Sequence, residues 1–174
     1  MCYQVHSSDS CTPPFPGLRL LALFYDSFQA DDRFRATAYC AIANGGTLYQ
    51  PQIVNKIVNG SGDSATIVKQ FSPVITRKSF IDSENLDIVR EGMHDGVTKS
   101  YGGSSILNDL PISVAAKTGT AQIGVENHYN VWSSVFAPYD NPEIVLVVTV
   151  ENVQGFGAVT LPVAHDVLSW YFGK

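Results

Sequence analysis

From Ser83 to Thr98 the apolar residues Leu86, Val89, Met93 and Val97 recur at the three-to-four spacing that lays one stripe along a helix. Ala36 to Ala43 is Ala-rich, has high helix propensity, and runs into Asn44-Gly45-Gly46, a stop-and-turn signal. Asp31 and Asp32 stand where acidic side chains favour the start of that helix. Ala158 to Phe172 predicts a closing amphipathic helix. Between the helical stretches the pattern shortens. Thr47 to Val58 alternates loosely around Pro51, Asn59 to Asp63 is a turn, and Ala65 to Phe71 returns, which predicts a hairpin. Residues 112–120, 131–137 and 143–151 are short runs of strand character, with Pro138 to Pro142 as a turn between the last two. Lys99 to Leu110, with Gly102-Gly103-Ser104-Ser105, reads as a mobile loop, and Ser83 as the N-cap of the helix that follows it. Antiparallel strands followed by a terminal helix predict an α+β fold, an antiparallel sheet with helices packed on its faces.

Composition narrows the function classes. A chain of 174 residues, 45% hydrophobic and 16% charged, can bury one ordinary core, so one domain or a large piece of one is expected. The net charge of −5 argues against a nucleic-acid partner. The longest apolar runs, Leu20 to Tyr25 and Ile144 to Val150, are far short of the about 20 residues a bilayer span needs, and no signal or transmembrane segment is visible. Cys2, Cys11 and Cys40 match no metal template, so neither disulfide, metal nor cofactor is expected, and Cys40 reads as a small core residue. Trp132, Phe136 and Tyr139 read as packing residues, and His94 and His165 as surface or hydrogen-bonded side chains of helices.

The most informative chemistry is Ala116-Lys117-Thr118-Gly119-Thr120, at the end of the apolar run Leu110 to Ala115. Lys-Thr-Gly on a strand is one of three motifs that build the active site of penicillin-binding transpeptidases and serine β-lactamases. Downstream follow Trp132, the series Phe136-Ala137-Pro138-Tyr139-Asp140-Asn141-Pro142-Glu143, and a last apolar strand; upstream stand Ala38 to Gly46 and Arg90-Glu91-Gly92-Met93. In this order and spacing the chain resembles the end of a class B penicillin-binding protein, the elongation-type peptidoglycan D,D-transpeptidase, from Ala36 to Phe172. The resemblance implies a partial penicillin-binding/β-lactamase-like transpeptidase fold. It makes residues 31–174 the C-terminal part of that domain, with residues 1–30 a poorly ordered or atypical N-terminal segment. Family members often carry His-Ala-Trp-Phe where this chain has Asn130-Val131-Trp132-Ser133, and His128 does not restore that pattern.

The chemistry the resemblance implies is acyl transfer at the D-Ala-D-Ala end of a peptidoglycan stem peptide, with β-lactams as the other ligands. On a strand Lys117 and Gly119 face one way, Thr118 and Thr120 the other. Thr118 and Thr120 would bind the substrate carboxylate near the charge of Lys117, whose field would also keep neighbouring hydroxyls and amines poised for proton transfer. Gly119 would let a peptide approach the backbone, and the Thr120 N–H would donate to the oxyanion. The nucleophile is missing: no Ser-x-x-Lys occurs in the 174 residues. Thr66-Ile67-Val68-Lys69 has the wrong hydroxyl, and Ser83-Glu84-Asn85 breaks the family order as a Ser-x-Asn. The expected partner is therefore the missing N-terminal part of the domain, and family members are anchored in the inner membrane with this domain outside the cytoplasm. A non-catalytic binding protein on the same scaffold, or a non-functional gene fragment, fits the residues as well. The spare apolar stretch Leu18 to Phe24 is expected to cover part of the surface beside Lys117 that a nucleophile helix would fill.

Overall fold

The structure, a computed structural model, describes residues 19–25, 30–60, 65–155 and 157–173, with side chains from Phe34 onward. The rest of the N-terminal segment, Cys2 and Cys11 included, and residues 61–64 of the expected hairpin turn lie outside the described residues. The centre of the fold is a four-stranded sheet in the order β1-β8-β7-β6, made of β1 (Arg19–Tyr25), β6 (Ala115–Gln122), β7 (His128–Ala137) and β8 (Ile144–Gln154). β6, β7 and β8 are antiparallel neighbours, in the sequence order expected. β1 pairs in parallel with β8, from Arg19 opposite Ile144 to Tyr25 opposite Val150. The leucine-rich stretch thus lies at the edge of the sheet away from β6, and does not cover the surface beside Lys117.

Three helices close the two faces. α3 (Thr160–Phe172) places Leu161, Ala164 and Leu168 on one face, against Ala116, Val135, Leu146 and Val148. α1 (Ala30–Ala43) places Ala36 and Ala43 on the other, against Ala115, Phe136, Val145 and Val147. α2 (Ser83–Thr98) packs beside β6 and supplies both cores, Val97 to the first and Met93 to the second. Unbroken burial of Ile144 to Thr149 follows from this sandwiching, because both faces of β8 are covered. Helix α2 is capped by Asp82, whose carboxylate accepts from the Glu84 N–H at 3.2 Å; Ser83, the expected cap, is the first helical residue instead.

Arg90 ties the layers together. Its guanidinium donates to the carbonyls of Ile42 and Ala43 at the end of α1 and, at 2.8 Å, to that of Tyr139 in the β7–β8 turn. One turn on, His94 stacks on Tyr139 with ring centroids 4.3 Å apart, and its Nδ1 lies 2.8 Å from the Val114 carbonyl oxygen. A carbonyl only accepts, so that nitrogen carries the proton.

The expected first hairpin strand is divided. β2 (Leu48–Tyr49) pairs with β5 (Ile75–Arg77), and only β3 (Lys56–Asn59) pairs with β4 (Thr66–Gln70). Residues 99–110 are likewise not a free loop. The Ser104 N–H donates to Gly96 at 3.0 Å, and a 3-10 helix, Ser105–Asp109, buries Leu107 completely.

Cys40, on α1, is packed against the smaller core, and burial pushes its thiol from 9.0 up to about 12. The unfolded chain loses this proton near pH 9.0 and the folded chain keeps it, so this group's contribution to stability falls as pH rises from about 9 towards 12. Thiol titration at pH 8 is expected to modify Cys40 slowly in the native chain and rapidly in denaturant. Equal rates would show that the side chain is open to solvent.

Candidate active site

Lys117, Thr118, Gly119 and Thr120 lie on β6, the outermost strand of the main sheet, paired on one side with Ser134, Ser133, Trp132 and Val131 of β7. Cross-strand partners share a face. Lys117 and Gly119 therefore stand with Ser134 and Trp132 on the α1 face, and Thr118 and Thr120 with Ser133 and Val131 on the α3 face. The Lys117 side chain is exposed, with Nζ hydrogen-bonded to the Thr118 carbonyl. An ammonium held by one carbonyl keeps donors for a further acceptor.

Gly119 is fixed by its neighbour. A Cβ there would lie 2.1 Å from Trp132 Cε2, so the indole fills the space a side chain would take. The Arg35 guanidinium lies over the Trp132 ring, 4.5 Å from its centroid. The absent side chain thus serves the indole, a reason the motif alone does not disclose. Ser133 and Ser134 are fully buried, and their hydroxyls have no hydrogen-bond partner among the described residues. Neither is open to a substrate.

A cavity of about 220 Å³ borders Thr118 and Thr120, between β6, Gly103 and the start of α3 at Ala158 and Thr160. Two of these walls escape a reading by motif. Gly103 comes close to Thr118 because its neighbour Gly102 presses on α2: a Cβ on Gly102 would lie 2.2 Å from the Gly96 carbonyl oxygen. The pair Gly102-Gly103, a loop signal by itself, marks this close approach. Val159 stands at the N-cap of α3 and gives it no capping side chain, and the first turn holds no acidic residue. Leu161 N–H donates to the Ala158 carbonyl and Pro162 has no N–H, so it is the dipole of the helix that leaves a positive partial charge beside the cavity. A hydroxyl pair beside a helix start is suited to a carboxylate.

The family model for the penicillin binding protein transpeptidase domain matches residues 35–169. The chain belongs to this family. It is a portion of a class B penicillin-binding protein transpeptidase domain, and the helix-covered sheet, antiparallel from β6 to β8 with β1 added in parallel, is part of a penicillin-binding fold. Stage V sporulation protein D of Bacillus subtilis is 31% identical over 143 residues, which are 77% of this chain and 21% of that protein. The peptidoglycan D,D-transpeptidase MrdA of Haemophilus influenzae is 31% identical over 103 residues, 51% of this chain and 16% of that protein. Among solved structures, penicillin-binding protein 2B of Streptococcus pneumoniae superposes with a TM-score of 0.65 at 28% identity, over 76% of this chain and 23% of that one. The chain spans about a fifth of the length of the curated relatives it matches. No helix among the described residues is long and apolar enough to cross a membrane.

Proposed function

We propose that this chain supplies the Lys-Thr-Gly wall of a peptidoglycan D,D-transpeptidase site, in which Lys117 is catalytic and Thr118, Gly119 and Thr120 bind the stem peptide or a β-lactam. The observation that carries the reading is the edge strand itself, with Lys117 exposed and both threonines bordering a cavity beside an uncapped helix start. The cavity, at about 220 Å³, is smaller than the roughly 300–1,000 Å³ of a ligand pocket. That size suits one wall of a site whose nucleophile comes from elsewhere. The Ser-x-x-Lys serine is to be supplied by the N-terminal part of such a domain, on a membrane-anchored parent with the domain outside the cytoplasm. The 174 residues alone then form no acyl-enzyme.

Fluorescent penicillin is expected to leave no hydroxylamine-sensitive adduct on the purified chain. A stoichiometric adduct on any serine would reveal a nucleophile within it. In a chimera, residues 35–169 would replace the matching part of a penicillin-binding protein that retains its Ser-x-x-Lys. There labelling should return, and Lys117→Ala should slow it by about 100-fold or more. Labelling at an unchanged rate in the Lys117→Ala chimera would remove that side chain from the mechanism.

A further inference from the structure

The hairpin β3–β4 touches no other helix or strand among the described residues. Two strands by themselves are marginal in water. Yet Ile57, Val58, Ile67 and Val68 are all exposed, Val68 by 66%. Basic residues alternate with them: Lys56 pairs with Gln70, Ile57 with Lys69, and Val58 with Ile67. Residues 50–80 carry Lys56, Lys69, Arg77 and Lys78 against the single acid Asp63, in a chain whose net charge is −5.

The opposite character lies on α2. Glu84, Asp87, Ile88 and Glu91 follow the spacing of one helical stripe, directly opposite the buried Leu86, Met93 and Val97. All four are exposed, Ile88 by 66%. One chain therefore carries a basic apolar arm and an acidic apolar stripe that do not meet within a single copy. Only residues 78–82 separate the base of the arm, β5, from the start of α2, so both surfaces lie near one another along the chain.

We infer that the hairpin docks on the α2 stripe of a second copy, each copy giving its arm and receiving its partner's. Lys69 meets Glu84, Asp87 and Glu91, while Ile57 and Ile67 of the same hairpin face cover Ile88, and Lys56, on the opposite face, adds its charge from the rim of the contact. A reciprocal exchange is the isologous arrangement that closes at two copies, and it buries the same arm twice. This surface is separate from the Lys117 strand and holds whether or not the chain takes part in acyl transfer.

Sedimentation velocity of the full chain over a wide concentration range should show a monomer–dimer equilibrium that weakens with added salt. Lys56→Glu with Lys69→Glu should weaken the dimer by about tenfold or more, and so should Glu84→Lys with Glu91→Lys. Mixing the arm-reversed and the helix-reversed chains restores opposite charges at both contacts, so the mixture should dimerise where neither variant does alone. Near-UV circular dichroism verifies the fold of each variant. If an arm-reversed chain fails to fold, Glu84→Lys with Glu91→Lys, confined to exposed helix positions, carries the test by itself. A wild-type chain that stays monomeric throughout would overturn the inference. So would a dimer indifferent to both reversals, or a mixture no more dimeric than its parts.

Discussion

Gly119→Val should unfold the chain, and Gly119→Ala should cost about 3 kcal/mol or more, at the upper end of what overpacking a well-filled site does. The reason is geometric. The first carbon of any side chain would lie 2.1 to 2.4 Å from three atoms of the Trp132 indole. The ring cannot retreat freely, because Arg35 stacks on it at 4.5 Å and β7 is paired on both sides. The strain should therefore spread into the pairing of β6 with β7 and displace Thr118 and Thr120. Urea unfolding of Gly119→Ala, Trp132→Ala and the double variant separates this from a loss of glycine flexibility. The double variant should be about as stable as Trp132→Ala alone, a coupling of roughly 2 kcal/mol or more. An additive cycle would mean that the indole does not confine Gly119.

Arg90→Ala is expected to cost about 2–4 kcal/mol, since it strips partners from three carbonyls in a half-buried place. Ile42 and Ala43 belong to the end of α1, where helix carbonyls lack internal partners, and Tyr139 to the β7–β8 turn. The guanidinium also lies 5.2 Å from the Phe136 ring centroid and 5.6 Å from that of Tyr139. Arg90→Lys should recover little, because one ammonium cannot reproduce a planar fork that reaches two elements at once. Thermal unfolding of both variants decides the matter. A lysine variant as stable as the parent would show that charge, not the fork, holds the junction.

Elements whose burial is one-sided or complete are legible in the residue pattern. The stripe of Leu86, Val89, Met93 and Val97 marked α2, although Val89 itself is left exposed, and Ile144 to Val150 marked the interior strand β8, because a helix or strand in a core repeats apolar residues at its own period. Boundaries were less so. β6 was expected at 112–120 and runs from Ala115 to Gln122; β7 was expected to begin at residue 131 and begins at His128. The outer end of β6, Ala121 and Gln122, is exposed, and at the start of β7 only Tyr129 is buried, between the half-buried His128 and Asn130, so backbone register holds these ends and no run of apolar residues reports them. The N-cap moved from Ser83 to Asp82 for a similar reason. Both residues can cap, and the backbone decides which carboxylate or hydroxyl faces the Glu84 N–H.

Around the site, the sequence by itself determined the chemistry: which strand carries Lys117, Thr118, Gly119 and Thr120, how they alternate between two faces, and that no Ser-x-x-Lys lies within the 174 residues. Those are properties of residue type and period, and they survive without knowledge of any partner. Only the tertiary structure decided what stands against them. Trp132 over Gly119 depends on the register of two strands, and Gly103 beside Thr118 on how closely a glycine turn can press on α2. The position of Arg19–Tyr25 depends on its pairing in parallel with β8 and not with the other open edge, β6. Each is a contact between residues distant along the chain, and local pattern fixes the face a side chain occupies but not the neighbour it meets there.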